Sequence, residues 1–253
     1  MPESFQLCIV IPCYNEEKRL NIARYSSFLK KHQHVLICFV NDGSNDNTLQ
    51  VLTKIKSNFP NNVTVNSMKK NSGKAATVRT GFMHCNANFN FEKIAYLDAD
   101  LATTLEECVE ISEHVNSEIV LAFGSRISKI DTTIDRKKAR HYIGRIIATL
   151  ISNQLKLPIY DTQCGCKIFD KDLSEKVFSE KFISKWLFDV EIFHRIIILY
   201  SEEKMGDIAR EIPLKSWIDY DESKVKITYF FKLWLDLYQI HKTYKPLKNN
   251  INY

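Results

Sequence analysis

Two acids separated by one residue, Asp98 and Asp100, stand in the stretch LDADLATT (97–104), directly after an apolar run. At a strand end such a pair can approach one hard divalent cation, and these ions also bridge to phosphate oxygens. That spacing suggests a metal–diphosphate clamp, the electrophilic aid a nucleotide leaving group needs. The competing reading is that both acids merely cap the next helix, but Thr104 with Glu107 already makes a capping box there.

Three earlier loops carry similar residues. PCYNEE (12–17) and NDGSNDNT (41–48) each follow an apolar run. In the second, Asp42 and Gly43 form a turn and Asp46 or Asn47 can cap a helix; any α/β protein could use them so. KNSGKAATVRTGF (70–82) places Gly73 and Lys74 at a helix start, where backbone N–H groups and a Lys could face a phosphate. The spacing of a P-loop is absent. Further on, DRKKARHYIGR (135–145) sets Arg136 and Arg140 at i, i+4 on one helical face. It is either a solvated basic helix or a place where Arg forks pair phosphate oxygens.

The elements that must position these residues alternate. QLCIVI (6–11), VLICFV (35–40), VTVN (63–66), KIAYL (93–97) and EIVLAF (118–123) read as strands covered on both faces. Helices are expected near 16–31, 46–57, 73–86 and 104–116. This order predicts an α/β fold with a mostly parallel sheet, in which ligands bind beyond the C-terminal strand ends. Past residue 125 the expectation is a basic helix (about 136–156), the segment YDTQCGCKIF (160–169), a short helix, then WLFDVEIFHRIIILY (186–200). A strand-like IAREIPLKSW (208–217) and a terminal helix over 226–245 follow. In the terminal helix Ile227, Phe230, Phe231, Trp234, Leu235 and Tyr238 share a face.

Composition excludes some classes. With 45% hydrophobic and 26% charged residues over 253 positions, the chain reads as one sizeable globular domain rather than a disordered segment. Seven irregularly spaced cysteines argue against a disulfide framework and for reduced thiols in the cytoplasm. Cys164 and Cys166 lack a second ligand pair at zinc spacing, and C-x-C is not the C-x-x-C of redox enzymes. The start, MPESFQLCIVIP, has no basic n-region. No apolar run reaches the roughly 20 residues a membrane span needs. The net charge of +5 resides in residues 224–253, where six lysines meet Asp236 alone. A basic tail of that kind suits an anionic surface more than a nucleic-acid-binding domain. With its aromatic stripe, the tail either lies in a membrane interface or docks on the protein or a second subunit. Residues 1–225 are expected to form the main domain and 226–253 the tail, with oligomerisation left open.

The segments IVIPCYNEEKRL, VNDGSNDNT, NSGKAATVRTGF, YLDADLAT, GSR (124–126), DTQCGCKIF, WLFDVEIF and WIDYDESK occur in this order. Together they resemble glycosyltransferase family 2, and within it the dolichyl-phosphate β-glucosyltransferase and polyprenyl-phosphate glycosyltransferase branch. The resemblance covers about residues 6–225, its narrower motifs being DTQCG-x-K-x-F, W-x-F-D-x-E and W-x(5)-SK.

The resemblance implies a GT-A fold and an inverting transfer, with UDP-glucose as nucleotide-sugar donor and a polyprenyl phosphate as acceptor, at the cytoplasmic face of a membrane. By motif, Pro12, Tyr14, Glu16 and Asp42 would hold the nucleoside and Lys74 would lie near the donor. Asp98 and Asp100, with Ala99 between them, would bind Mg²⁺ or Mn²⁺ on the diphosphate. Arg126 would face the phosphates or the acceptor. Arg136, Arg140, Gln163, Lys167, Trp217 and Lys224 are expected on the acceptor side. Asp161 is the best acid if a base is needed, and could equally orient basic residues. Of Asp189 and Glu191 one is expected to face the site. Cys164 would be a packing residue.

Asn41 replaces the first Asp of the usual DDGS, Ala102 stands where mannosyl relatives have a Gln ligand, and Cys166 replaces a Phe. The eukaryotic enzymes carry an N-terminal anchor, which is not expected here. The alternatives are a family 2 enzyme acting on a saccharide or protein hydroxyl in cell-surface polysaccharide synthesis, and a catalytically idle nucleotide-sugar-binding module.

Overall fold

Every residue of Val35–Asn41 is buried, as a strand covered on both faces requires. In the computed structural model, which describes residues 4–130, 132–135, 138–218 and 229–249, this segment is β2. It follows β1 (Phe5–Cys13) and α1 (Ile22–Lys31). Then come α2 (Thr48–Asn58), β3 (Val63–Ser67), α3 (Lys74–Asn88), β4 (Phe91–Leu97), α4 (Leu105–Ser112) and β5 (Leu121–Ser125). The second half holds β6 (Thr133–Asp135), α5 (Lys138–Leu155), β7 (Cys166–Asp170), α6 (Lys171–Val177), α7 (Phe188–Tyr200), α8 (Met205–Ile208), β8 (Ala209–Pro213), β9 (Ser216–Ile218) and α9 (Tyr229–Asn249).

The main sheet has the order β3-β2-β1-β4-β7-β5-β8. All neighbours are parallel except β7, which runs antiparallel to both β4 and β5. The parallel strands therefore end along one edge. The antiparallel β7 begins at that same edge, so residues 160–165 reach it from the other direction. Strand alternation divides the core in two. Cys8 and Val10 face a layer shared with α3, α6, α7 and α9, while Leu7, Ile9 and Ile11 face α1, α2 and α4. Each fully buried Phe in these layers, such as Phe39 or Phe82, contributes about 1.5–3 kcal/mol of apolar burial.

The five expected strands and the four flanking helices are present. The first helix starts at Ile22, not 16, because Asn21 caps it by accepting from Arg24 N–H and Glu16 N–H is held by Thr48 Oγ1 at 2.8 Å. Only half of the expected capping box forms. Thr104 accepts from Glu107 N–H, but the Glu107 carboxylate accepts from Lys215 N–H. β7 was not expected; its five residues are strand only because β4 and β5 flank them. The single strand over 208–217 is two, β8 and β9, with β9 pairing β6 in a separate parallel ribbon.

The boundary expected at 225/226 lies outside the described residues. α9 packs on α7 through Leu233, Leu237, Ile240 and Tyr244, which are buried in the same core layer. Trp234, Leu235 and Tyr238 of the expected apolar stripe point away and are more than half exposed at 55%, 63% and 64%. Among the described residues no helix is long and apolar enough to cross a membrane.

Candidate active site

The loops after β1, β2 and β3 are laced together. Asn15 N–H donates to Ser44 Oγ and Asn45 N–H to Asn15 Oδ1. Asp42 is buried, and its carboxylate accepts from Ser72 N–H at 2.7 Å and Gly73 N–H at 2.9 Å. It thereby fixes the turn that launches α3 with Lys74 as its first residue. Gly43 has φ 62°, and a Cβ there would meet Lys70 backbone at 2.6 Å, so only glycine fits. Glu16 is buried and grips Arg19 through two bonds of 2.6 Å. Pro12 stands opposite Val40, one residue before Cys13 opposite Asn41 closes the pairing of β1 with β2, and Tyr14 follows half-buried.

Lys74 Nζ reaches Asp98 Oδ1 at 2.5 Å. Burial alone would lower the Lys74 ammonium, but the charges of Asp98 and Asp189 outweigh it and raise it. Asp100 accepts from Ala102 N–H at 3.0 Å. Its carboxyl is raised, first by burial and then by the negative charge of Asp98. Directly after Asp100 the chain turns through Leu101 at φ 51°, a strained left-handed residue of the kind found at functional sites. Asp98, Asp100, Ala102, Thr103, Arg126, Gly165 and Trp217 line one pocket. Concentrated negative charge that needs Lys74 to offset it fits a divalent cation. Among the described residues no cluster of three or more His, Cys, Asp or Glu could hold a metal by itself. Two carboxylates completed by phosphate oxygens is a usual arrangement for Mg²⁺.

Arg126 lines the same pocket. Its Nε and Nη2 donate to Asp161 at 2.6 and 2.8 Å, and its backbone N–H donates to the same carboxylate at 3.1 Å. The guanidinium lies 5.2 Å from the Trp217 ring. Burial alone would raise the Asp161 carboxyl, but the charge of Arg126 and its hydrogen bonds dominate and hold it well below the usual range. A carboxylate so stabilised is a poor proton acceptor. Of the two roles left open for Asp161, the geometry on view is that of a partner to Arg126.

Several expected positions fall elsewhere. Lys167 is fully buried, not in the pocket: its ammonium donates to Cys164 O at 2.8 Å and Asp189 Oδ1 at 2.6 Å. Asp189 also accepts from Tyr96 OH. Neither Asp189 nor Glu191 lines the pocket; Glu191 instead accepts from Ile183 and Ser184 N–H. Gln163 donates its N–H to Asp161, and its amide nitrogen is buried with no hydrogen-bond partner. Ala99 is buried beside the pocket. Arg136 and Lys224 lie outside the described residues, as does the side chain of Arg140 on α5. All seven cysteines are free and buried; burial above all pushes the Cys164 thiol up to about 12, in keeping with packing.

Two residues, Gly165 and Glu211, were not singled out from the sequence, and Arg145 of the basic helix turns to the backbone next to Asp161, donating to Tyr160 O at 2.7 Å. Gly165 presses on Asp98, and Glu211 holds the backbone of Tyr160 and Asp161. An acid inside the strand-like IAREIPLKSW was the one signal available for Glu211.

The family model described as Glycosyl transferase family 2 matches residues 8–178. The chain is 30% identical to dolichyl-phosphate beta-glucosyltransferase ALG5A of Trichomonas vaginalis, over 94% of this chain and 74% of that one. It is 31% identical to the Saccharomyces cerevisiae dolichyl-phosphate beta-glucosyltransferase, over 89% and 70%. In structure it resembles glucosyl-3-phosphoglycerate synthase from Mycobacterium tuberculosis in complex with Mn²⁺, UDP and phosphoglyceric acid (TM-score 0.67, 13% identity, 94% and 78% covered). It also resembles mannosyltransferase PcManGT from Pyrobaculum calidifontis with GDP-Man and Mn²⁺ (TM-score 0.57, 16% identity, 93% and 62% covered). At such identities these likenesses speak for the fold alone, which is GT-A.

Proposed function

This chain belongs to glycosyl transferase family 2, and from that premise we propose that it moves glucose from UDP-glucose to a polyprenyl phosphate at a membrane surface, inverting the anomeric configuration. The observation that carries this reading is the pocket. Among its described lining residues the carboxylates are Asp98 and Asp100, with Arg126 as the cation, and the nearby Asp161 is committed to Arg126. Such a site offers little to deprotonate a sugar hydroxyl. A phosphate acceptor is already ionised at neutral pH and needs no base. Its attack on an α-linked donor gives a β-linked product.

Asp98 and Asp100 would hold Mg²⁺ or Mn²⁺, which when bound would neutralise charge on the departing nucleotide. Lys74 holds its charge beside them, and Arg126 offers a guanidinium to phosphate oxygens. The dolichyl-phosphate relatives support glucose and a lipid phosphate. The outward residues of α9, with exposed Lys232, Lys242 and Lys245 on the same helix, support contact with an anionic bilayer, on the cytoplasmic side in this reading.

The test is incubation with labelled UDP-glucose, Mg²⁺ or Mn²⁺ and a polyprenyl phosphate. An organic-extractable glucosylated lipid is expected. Its absence with every common nucleotide sugar would overturn the reading, and transfer to a water-soluble saccharide instead would favour a hydroxyl acceptor.

A further inference from the structure

Glu211 sits on β8, at the edge of the sheet and outside the residues that line the pocket. β8 pairs with β5 so that Glu211 stands opposite Phe123, two residues before Ser125. Its Oε1 accepts from Ser125 Oγ at 2.7 Å and from Asp161 N–H at 2.8 Å, and its Oε2 accepts from Tyr160 N–H at 3.0 Å. One carboxylate therefore ties the residue that precedes Arg126 to the peptide groups that carry Asp161. Asp161 in turn takes three bonds from Arg126.

We propose that Glu211 is a positioning residue for Arg126: it fixes where Asp161 stands, and so which way the guanidinium faces the pocket. Three donors converge on it, which only an acceptor-only group satisfies. A glutamine of the same size would turn its NH₂ toward at least one of those donors. Because the pocket contact is made by Arg126, the effect of Glu211 on the reaction passes through Arg126 and has no separate route.

The test compares Glu211→Gln, Arg126→Gln and the double variant in the full chain. Glu211→Gln is expected to lower kcat/KM for lipid-phosphate glucosylation about 10-fold in the wild-type background, and by less than about twofold once Arg126 is gone. Additive losses would overturn the proposal. Arg210→Ala, which alters the exposed neighbour on the same strand, should keep kcat/KM within about twofold; a loss equal to that of Glu211→Gln would point to strand damage and overturn it as well.

The activity assay rests on the proposed function, so a second readout does not use it. Trp186 and Trp234 are replaced by Phe, leaving Trp217, which packs against Arg126, as the sole tryptophan of three. Glu211→Gln should shift Trp217 emission in the same direction as Arg126→Gln, with no further shift in the double variant. An unchanged spectrum would overturn the positioning role whatever the acceptor is. Failure of the otherwise intact protein to glucosylate polyprenyl phosphate would count against the proposed function instead, and the spectrum would still decide the role of Glu211.

Discussion

A methyl group on Gly165 would lie 1.9 Å from Asp98 Oδ2, and Asp98 N–H donates to Gly165 O at 3.0 Å. Gly165→Ala must therefore push the carboxylate aside. Mn²⁺ affinity, followed by electron paramagnetic resonance, should fall about 10-fold or more, as is usual when a ligand's support is lost. Unchanged affinity would mean that Asp98 does not hold the metal. At Asp161, burial opposes ionisation but Arg126 prevails, so the folded-state pKa is depressed. Stabilisation from the pair is complete above the unfolded value of about 3.9 and is lost as the pH falls below it. Asp161→Asn leaves a buried guanidinium uncompensated and should cost about 3–5 kcal/mol near neutral pH. Urea unfolding at a series of pH values should show that gap closing below about pH 4; a constant gap would rule out the ion pair as its source. The motif DTQCG was legible as part of a site. That its Asp serves an arginine and its Gly makes room for another strand's Asp was not, because both partners are distant in sequence.

At the scale of elements, continuous apolar runs revealed β1 to β5 because a doubly covered strand has no polar face to obscure it. β7 escaped because CKIFD is short and follows a motif that reads as a loop. α9 was legible as a helix, but not which face it docks. Leu233, Leu237, Ile240 and Tyr244 turn inward, while Trp234, Leu235 and Tyr238 turn outward. If the outward face lies on a bilayer, Trp234→Ser with Tyr238→Ser should weaken binding to anionic liposomes at least 10-fold, since each buried aromatic contributes about 1.5–3 kcal/mol. Turnover with a short, water-soluble polyprenyl phosphate should remain within about twofold, because neither residue lines the pocket. Liposome binding equal to wild type would remove this face from the membrane.

Across the whole molecule, a buried polar knot joins the sheet to α7. Lys167 on β7 meets Asp189 on α7, and Tyr96 on β4 donates to the same carboxylate. Removing one member of a buried pair strands the other. Lys167→Met should lower stability by about 3–5 kcal/mol, seen in thermal unfolding as a Tm lower by about 6–20 °C for a chain of this size. Near-wild-type stability combined with a raised KM for the acceptor would return Lys167 to the acceptor side.

By itself the sequence determined the alternation of strands and helices, the edge where chemistry had to lie, and the paired acids Asp98 and Asp100. Those features are local: periodicity, caps and a carboxylate spacing of two. The tertiary structure alone decided that β7 enters the sheet antiparallel, which brings Asp161 and Gly165 to Arg126 and Asp98, and that Lys167 is buried while Glu211 is recruited from an edge strand. These depend on which strands become neighbours, a choice set by long-range pairing and burial that no short stretch of sequence records.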